Sequence, residues 1–428
     1  MLRTQIMCPL RAIALSALLS WIPCSHASDE SLDVLHWWTS QSERRAADWL
    51  ARQAIEQGIP WQDAVIPGGG GGGAMRVLKS RVLSGRPPAS AQLNGYPVSE
   101  WADLGLLLEL NTPAQDNMWQ DHLFPAVIDT IRFRDHWVAA PLGVHRINTM
   151  LLNRKLFERA KVSPPKTWDA FEQAATALQQ AGIRPLAQSS EPWQVATLFE
   201  SLVLAEGGAQ FYGQVFVKQA PTAFQAPQFA QALTRLRKLK QWMGPISDQP
   251  WDVLAKRFAR GEAAMFIMGD WAKGEVMAMG LEPEQDFWCQ AVPGSESAHL
   301  YSIDTLVMFN GNYARQSTQW ALASLLTTLP VQLGFNRIKG SVPVLRNLNA
   351  NLLDSCARQS WIAFGKGPLA PSLTHRMAAD EQFKATVINQ IHRFFIDDRV
   401  TISEVQRKLA ATTRYLRQNS HDTQHTRR

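Results

Sequence analysis

Residues Leu32–Ser42 read L-D-V-L-H-W-W-T-S-Q-S, and the fold turns on them. An apolar strand runs into two adjacent tryptophans and a hydroxyl-rich turn, and a helix opens at Glu43. Successive strand side chains face opposite ways, so Trp37 and Trp38 cannot both be core if only one face of the sheet is covered. One indole is then free to line a crevice beyond the strand's carboxyl end, where ligands of open α/β sheets sit. The other reading packs both indoles beneath a neighbouring helix.

Outward from this stretch, strands alternate with helices. Glu43 to Gln57 has helical periodicity, with Ala47, Leu50, Ala51 and Ala54 on one face and Gly58-Ile59-Pro60 ending it. A run of glycines, Gly68 to Gly73, precedes a second periodic segment, Met75 to Leu83. No Lys-Ser or Lys-Thr pair follows, so the run is no phosphate-binding P-loop; it reads as a ligand-side loop or a linker. Ala89–Leu93, Trp137–Leu142 and Ile303–Phe309 read as strands. Thr167 is an N-cap for a helix with Trp168, Phe171, Ala175 and Leu178 inward. Ala263–Met268 (A-A-M-F-I-M) is continuously apolar, as expected of a strand covered on both faces of a parallel sheet. The pattern argues α/β layering.

The chain of 428 residues is too long for one ordinary core, so two lobes are expected. Its 46% hydrophobic and 19% charged content and mean hydropathy of −0.18 exclude a disordered or multi-span membrane chain. Arg3 and Arg11 form a basic start ahead of a short apolar stretch, Ala12–Ile22, below the roughly 20 residues that span a bilayer. Small residues in Ser25-His26-Ala27 follow, so residues 1–27 read as a cleaved signal peptide and the mature protein as a soluble exported one. Pro23 and Trp21 before Cys24 make a poor lipoprotein signal. Cys289 and Cys356 remain in the mature chain, and their pairing is left open by the sequence. The formal charge of +6 is scattered, and the basic run around Arg235–Lys240 lies among leucines as a solvated helix face. Nucleic-acid binding is not indicated. Residues 418–428 form a polar tail expected to be disordered.

Catalytic and metal motifs are missing: no H-E-x-x-H, G-x-S-x-G or C-x-x-C occurs, and the histidines lack metal-ligand spacing. What stands at the expected element ends is a mixture of aromatic and polar side chains. Sugar binding needs that mixture, with flat apolar faces for the ring and planar polar groups for the hydroxyls.

Several motifs resemble those of bacterial extracellular solute-binding proteins of family 1, and within it the periplasmic glucose/mannose-type binding proteins of ABC importers. They are V-L-H-W-W-T-S at 34–40, M-R-V-L-K-S-R-V-L at 75–83, P-P-K-T-W-D-A-F at 164–171, F-A-R-G-E-A-A-M-F-I-M-G-D-W at 258–271 and K-G-S-V-P-V at 339–344. The resemblance implies a two-lobed periplasmic-binding-protein fold of type II, with hinge crossovers and a ligand cleft between lobes. It implies a first lobe of 28–143 plus 293–340 and a second of 144–292 plus 341–417. It implies a small sugar ligand, ABC permease transmembrane subunits as partners, a monomer, no cofactor and no catalysis. The runner-up is an exported glycoside hydrolase or lyase; a receptor used only for signalling is a third reading.

Site residues are carried over singly. Trp37 and Trp38 match a sugar-contacting pair. Glu43 matches a hydroxyl acceptor, the alternative being a charge favoured by the helix dipole. Asp304, in S-I-D-T, matches a carboxylate beneath the sugar, and an acid inside an apolar strand needs a partner in any case. Lys339 and His375 match donors, with a solvated charge and a structural histidine as their alternatives. Trp271 could be site or core, and His145 lies at the first expected crossing. Asn94 departs from the pattern, standing where a lysine is expected; it is shorter and neutral, and it both donates and accepts. Arg44-Arg45 replaces smaller residues.

Overall fold

The computed structural model describes residues 31–67, 71–311 and 315–425, with side chains through 418. The signal-peptide segment 1–27 lies outside the described residues. Among the described residues, twelve strands follow in chain order: β1 (Leu32–His36), β2 (Trp61–Val65), β3 (Ser90–Leu93), β4 (Arg132–Phe133), β5 (His136–Trp137), β6 (Ala140–Arg146), β7 (Thr149–Asn153), β8 (Leu186–Ala187), β9 (Met265–Ile267), β10 (Phe287–Ala291), β11 (His299–Met308) and β12 (Leu369–Pro371).

Two sheets carry the fold. In the first, β2, β1 and β3 lie parallel in that order, β11 runs antiparallel to β3 with β6 along its other edge, and β12 pairs with the start of β11 on the same edge as β3. The second has the order β10-β7-β9-β8. Each sheet has its own apolar core. The first is built from residues such as Val34, Leu50, Leu142, Ile303 and Phe335. The second is built from Met150, Phe199, Phe266, Ala272 and Phe383. β9 is buried throughout, as its apolar run required. Its sheet is nevertheless mixed, since β9 is parallel to β8 but antiparallel to β7, which corrects the expected parallel arrangement. Burial on both faces selects for apolar residues whatever the neighbour's direction.

The chain passes between the cores three times. Val144 belongs to the first and Ile147 to the second, so the first passage joins β6 to β7. Leu300 and Ile303 mark the return along β11. Val342, Val344 and Phe364 still pack in the first core and Ala370 in the second, which puts the third passage between 364 and 370. The disulfide Cys289–Cys356 ties β10 to the helix Ser355–Lys366 beside these passages.

Local chemistry fixes the elements around the cleft. The first helix spans Gln41–Glu56, two residues ahead of the expected start, because Ser40 and Glu43 form a capping box. Thr167 caps the helix Trp168–Gln180 with Trp168, Phe171, Ala175 and Leu178 buried, as the spacing required. The last helix, Ile402–His425, runs past residue 418, where disorder was expected. Val405, Leu409, Ala410 and Thr413 anchor it on the second core, and each further residue adds one backbone hydrogen bond to a helix already nucleated.

Candidate functional site

A cavity of ≈ 360 Å³ opens where the passages meet. That is within the roughly 300–1,000 Å³ of small-molecule sites. Trp37, Trp38, Glu43, Asn94, His145, Trp271, Asp304, Lys339 and His375 all line it. They come from both cores.

The tryptophan pair divides its work. Trp38 is 0% exposed, stacked on His36 at 4.7 Å and tilted against Phe335 at 5.5 Å, so it seals the first core beneath the cavity. Trp37 is half-buried, and its indole lies along Gly71, where an added Cβ would come within 2.9 Å of the ring. Gly71 also has φ +70, so glycine is required there twice over. Gly71, in the glycine run, thus lies on the cleft side of the sheet beside Trp37.

Three charged groups stand between the aromatic walls. Glu43 accepts from the backbone N–H of Thr39 and Ser40 through Oε2, and from Lys339 Nζ at 3.1 Å through Oε1. Both readings of Glu43 are therefore present at once, helix cap and cleft carboxylate. Gly340, with φ +96, ends the helix Leu329–Lys339 and holds Lys339 at this point. Asp304 is 4% exposed; it accepts from Asn94 Nδ2 at 2.7 Å and faces His145 Nε2 at 3.4 Å. Burial pushes its carboxyl up, but the His145 charge and hydrogen bond, with Lys339 and Asn94, outweigh that and hold it well below the usual range. His145 is raised. Burial and Lys339 oppose its charge, while Asp270, 2.5 Å from Nδ1, and Asp304 favour it. Asn94 spends its amide on Asp304 and Ser302, and its Oδ1 is buried without a partner.

The second core supplies the opposite wall. Trp271 packs edge-on against His145 at 5.3 Å and lies 5.1 Å from His375. Burial first, then the charges of His145, Arg376 and Lys384, hold the His375 imidazole down at about 3, so it is neutral at pH 7.

Sequence reasoning missed Trp193 and Trp251, with their neighbours Glu191 and Asp252, all of which line the cavity. A signal was present: E-P-W-Q at 191–194 and Q-P-W-D at 249–252 each set a tryptophan at a proline-led helix start. Trp251 stacks edge-on against Trp271 at 6.4 Å, and Trp193 likewise against His375 at 6.3 Å. Gln92, Ser302 and Arg376 complete the polar lining. Among the described residues no group of histidine, cysteine or carboxylate side chains could hold a metal ion, and no helix is long and apolar enough to cross a membrane.

Two sheets with separate cores, joined by three passages around one polar-aromatic cleft, define a two-lobed ligand-binding protein. The chain belongs to the bacterial extracellular solute-binding protein family, whose model matches residues 51–328. A "Probable sugar-binding periplasmic protein" of Brucella melitensis is 31% identical over 388 residues, 89% of this chain and 92% of the relative. Among solved structures, a "Chitin oligosaccharide binding protein" superposes with a TM-score of 0.75 at 19% identity, covering 90% of this chain and 98% of that one. The "bacterial solute receptor AcbH", described with an "exclusive substrate preference for b-D-galactopyranose", superposes with a TM-score of 0.77 at 17% identity, covering 90% of this chain and 99% of that one. The architecture is the type II periplasmic-binding-protein fold that the sequence motifs implied.

Proposed function

We propose that this chain is the periplasmic substrate-binding protein of a carbohydrate ABC importer, taking a mono- or disaccharide and delivering it to the transmembrane permease subunits as a monomer. One observation carries the reading: aromatic faces from the two cores line a single cavity, Trp37 on one side and Trp271, Trp251 and Trp193 on the other, with Asp304, Glu43 and Lys339 between them. Rings bury apolar C–H faces on indoles while hydroxyls meet planar charged groups. A ligand that touches both halves favours the closed arrangement, so binding and hinge closure are coupled. The lobes follow the two cores, and residues 341–364 move with the first, because Val342, Val344 and Phe364 pack there.

The protein is taken to perform no chemistry. A glycoside hydrolase needs a protonated carboxyl beside the scissile bond. Asp304 is held ionised by His145 and Asn94, and both oxygens of Glu43 are already engaged, one by Lys339 and the other by the backbone of its own helix cap. Asn94 bears on which sugar. Its neutral amide is spent on Asp304 and Ser302 where a lysine would bring a charged donor, and its short side chain leaves room, which favours a ligand larger than glucose or differently configured. A thermal-shift screen against neutral mono- and disaccharides tests the reading; a ligand at 100 times its Kd should add about 2.7 kcal/mol of stability. No stabilisation by any sugar, or release of hydrolysed product on incubation, would end it.

A further inference from the structure

Behind the cleft wall, the helix Pro192–Tyr212 carries one buried carboxylate, Glu200, at 2% exposure among Leu198, Phe199, Leu202 and Val203. Its Oε1 accepts from Ser372 Oγ at 2.7 Å, and its Oε2 from the Leu373 backbone N–H and the Tyr212 hydroxyl, both at 2.8 Å. These bonds hold the loop that follows β12, and the same loop presents His375 to the cavity. Ser372 Oγ also lies 2.9 Å from His375 Nδ1 and accepts from the His375 backbone N–H at 3.2 Å.

The hydroxyl of Ser372 has one proton to give, and an ionised carboxylate can only accept. With Glu200 charged, that proton goes to Glu200, and Ser372 must accept from the imidazole. A neutral imidazole carries a single proton, which is then on Nδ1. Nε2, which has no protein partner among the described residues, is left with its lone pair. We propose that Glu200, acting through Ser372, sets the tautomer of His375 and so presents Nε2 to the cleft as a hydrogen-bond acceptor, selecting a ligand hydroxyl that donates there. This reverses the donor role implied by the sequence resemblance. Glu200 is a positioning residue; it does not touch the ligand.

The same relay can be turned round. With Glu200 protonated, its O–H would donate a hydrogen bond to Ser372 Oγ, the serine hydroxyl would rotate to donate to Nδ1, and the imidazole, having exchanged its Nδ1 proton for one on Nε2 through solvent in the cleft, would be a donor there. Burial, only partly offset by the bonds from Ser372, Tyr212 and Leu373, pushes Glu200 up to about 7. Other groups facing the relay do not titrate with it. Tyr212 is raised well above its ordinary value, and His375 stays neutral under the charges of His145, Arg376 and Lys384, with Asp304 opposing them.

The role of the tautomer in recognition rests on the sugar-binding reading, whereas the tautomer itself can be read without ligand. Two-bond 1H–15N correlation of the uniformly labelled full chain distinguishes the two forms, with the His375 signals assigned by their loss in His375→Gln. We expect the Nδ1–H pattern well above neutrality and the Nε2–H pattern well below it. Glu200→Gln can donate to Ser372 and should show Nε2–H throughout. Ser372→Ala, which keeps the carboxylate and cuts the relay, should remove the pH dependence. Glucose affinity should shift about tenfold across neutrality in the wild type and stay flat in Glu200→Gln, the difference of about one hydrogen bond. One tautomer at every pH in the wild type, or a tautomer unchanged in both variants, overturns the relay. A switching tautomer with no sugar bound at any pH supports the relay and overturns only the sugar reading.

Discussion

Trp37 and Trp38 are neighbours in sequence with different duties, and truncating each should have opposite consequences. Trp38 is fully buried against His36 and Phe335. Trp38→Ala leaves a cavity that the surrounding sheet and helices cannot close, which costs about 3–5 kcal/mol of stability. Trp37 lies half-buried at the cleft and leans on Gly71. Trp37→Ala removes little core, so its stability cost should stay near 1 kcal/mol. A ligand ring that would have covered the indole face loses about 1.5 kcal/mol of apolar burial, roughly a tenfold rise in Kd. Urea unfolding of both variants measures the first effect, and calorimetric titration with the sugar found by the panel measures the second. Trp37→Phe should recover part of the affinity by restoring a ring. Wild-type affinity in Trp37→Ala would refute the reasoning, because the half-buried indole would then be packing and not platform. Wild-type stability in Trp38→Ala would refute the assignment of that indole to the core.

Other outcomes follow from the same geometry. Asn94→Lys places an ammonium beside Asp304 and should shift preference toward glucose; tight glucose binding by the wild type, unimproved by the substitution, in calorimetry with glucose and a disaccharide set would exclude this. The Cys289–Cys356 bond closes a loop of 67 residues, and Cys356→Ser should cost about 4 kcal/mol by the loop-entropy relation, read as a lower denaturation midpoint that reductant no longer alters. Glu200 is raised from 4.5 to about 7 on folding, so its contribution is fully present below the unfolded value and lost as pH rises through the folded one. That group alone should lower stability by about 3 kcal/mol across this window, and Glu200→Gln should flatten the slope. Asp304 is lowered, so its contribution is present above the unfolded value and lost as pH falls; Asp304→Asn should weaken the acid limb of the stability profile while acting on the opposite side from Glu200.

What the sequence alone determined is local or is spelled in short motifs. The apolar run at Leu32–His36, the period of 3.6 after Thr167 and the signals at Gly58-Ile59-Pro60 follow from backbone geometry and capping, and they give strands and helices near their observed places. Resemblance in short motifs supplied nine residues that the fold gathers into one cavity. Contacts between distant segments decided the rest. β11 could be read as a strand, but its place antiparallel between β3 and β6 depends on the return passage from the second core. Trp37 and Trp38 are alike in the sequence; packing against His36 and the helix carrying Phe335 determines that Trp38 is the one sealed. Cys289 and Cys356 lie on separate elements, and their pairing needs the helix Ser355–Lys366 laid beside β10. Trp193 and Trp251 become walls because two helix starts converge on His375 and Trp271. Glu200 reads as a lone charge in an apolar helix until the loop after β12 brings Ser372 and Leu373 against it. Periodicity reports which face of an element is apolar; it carries no information about which distant polar group will meet a given side chain, because that is fixed by how the elements are stacked.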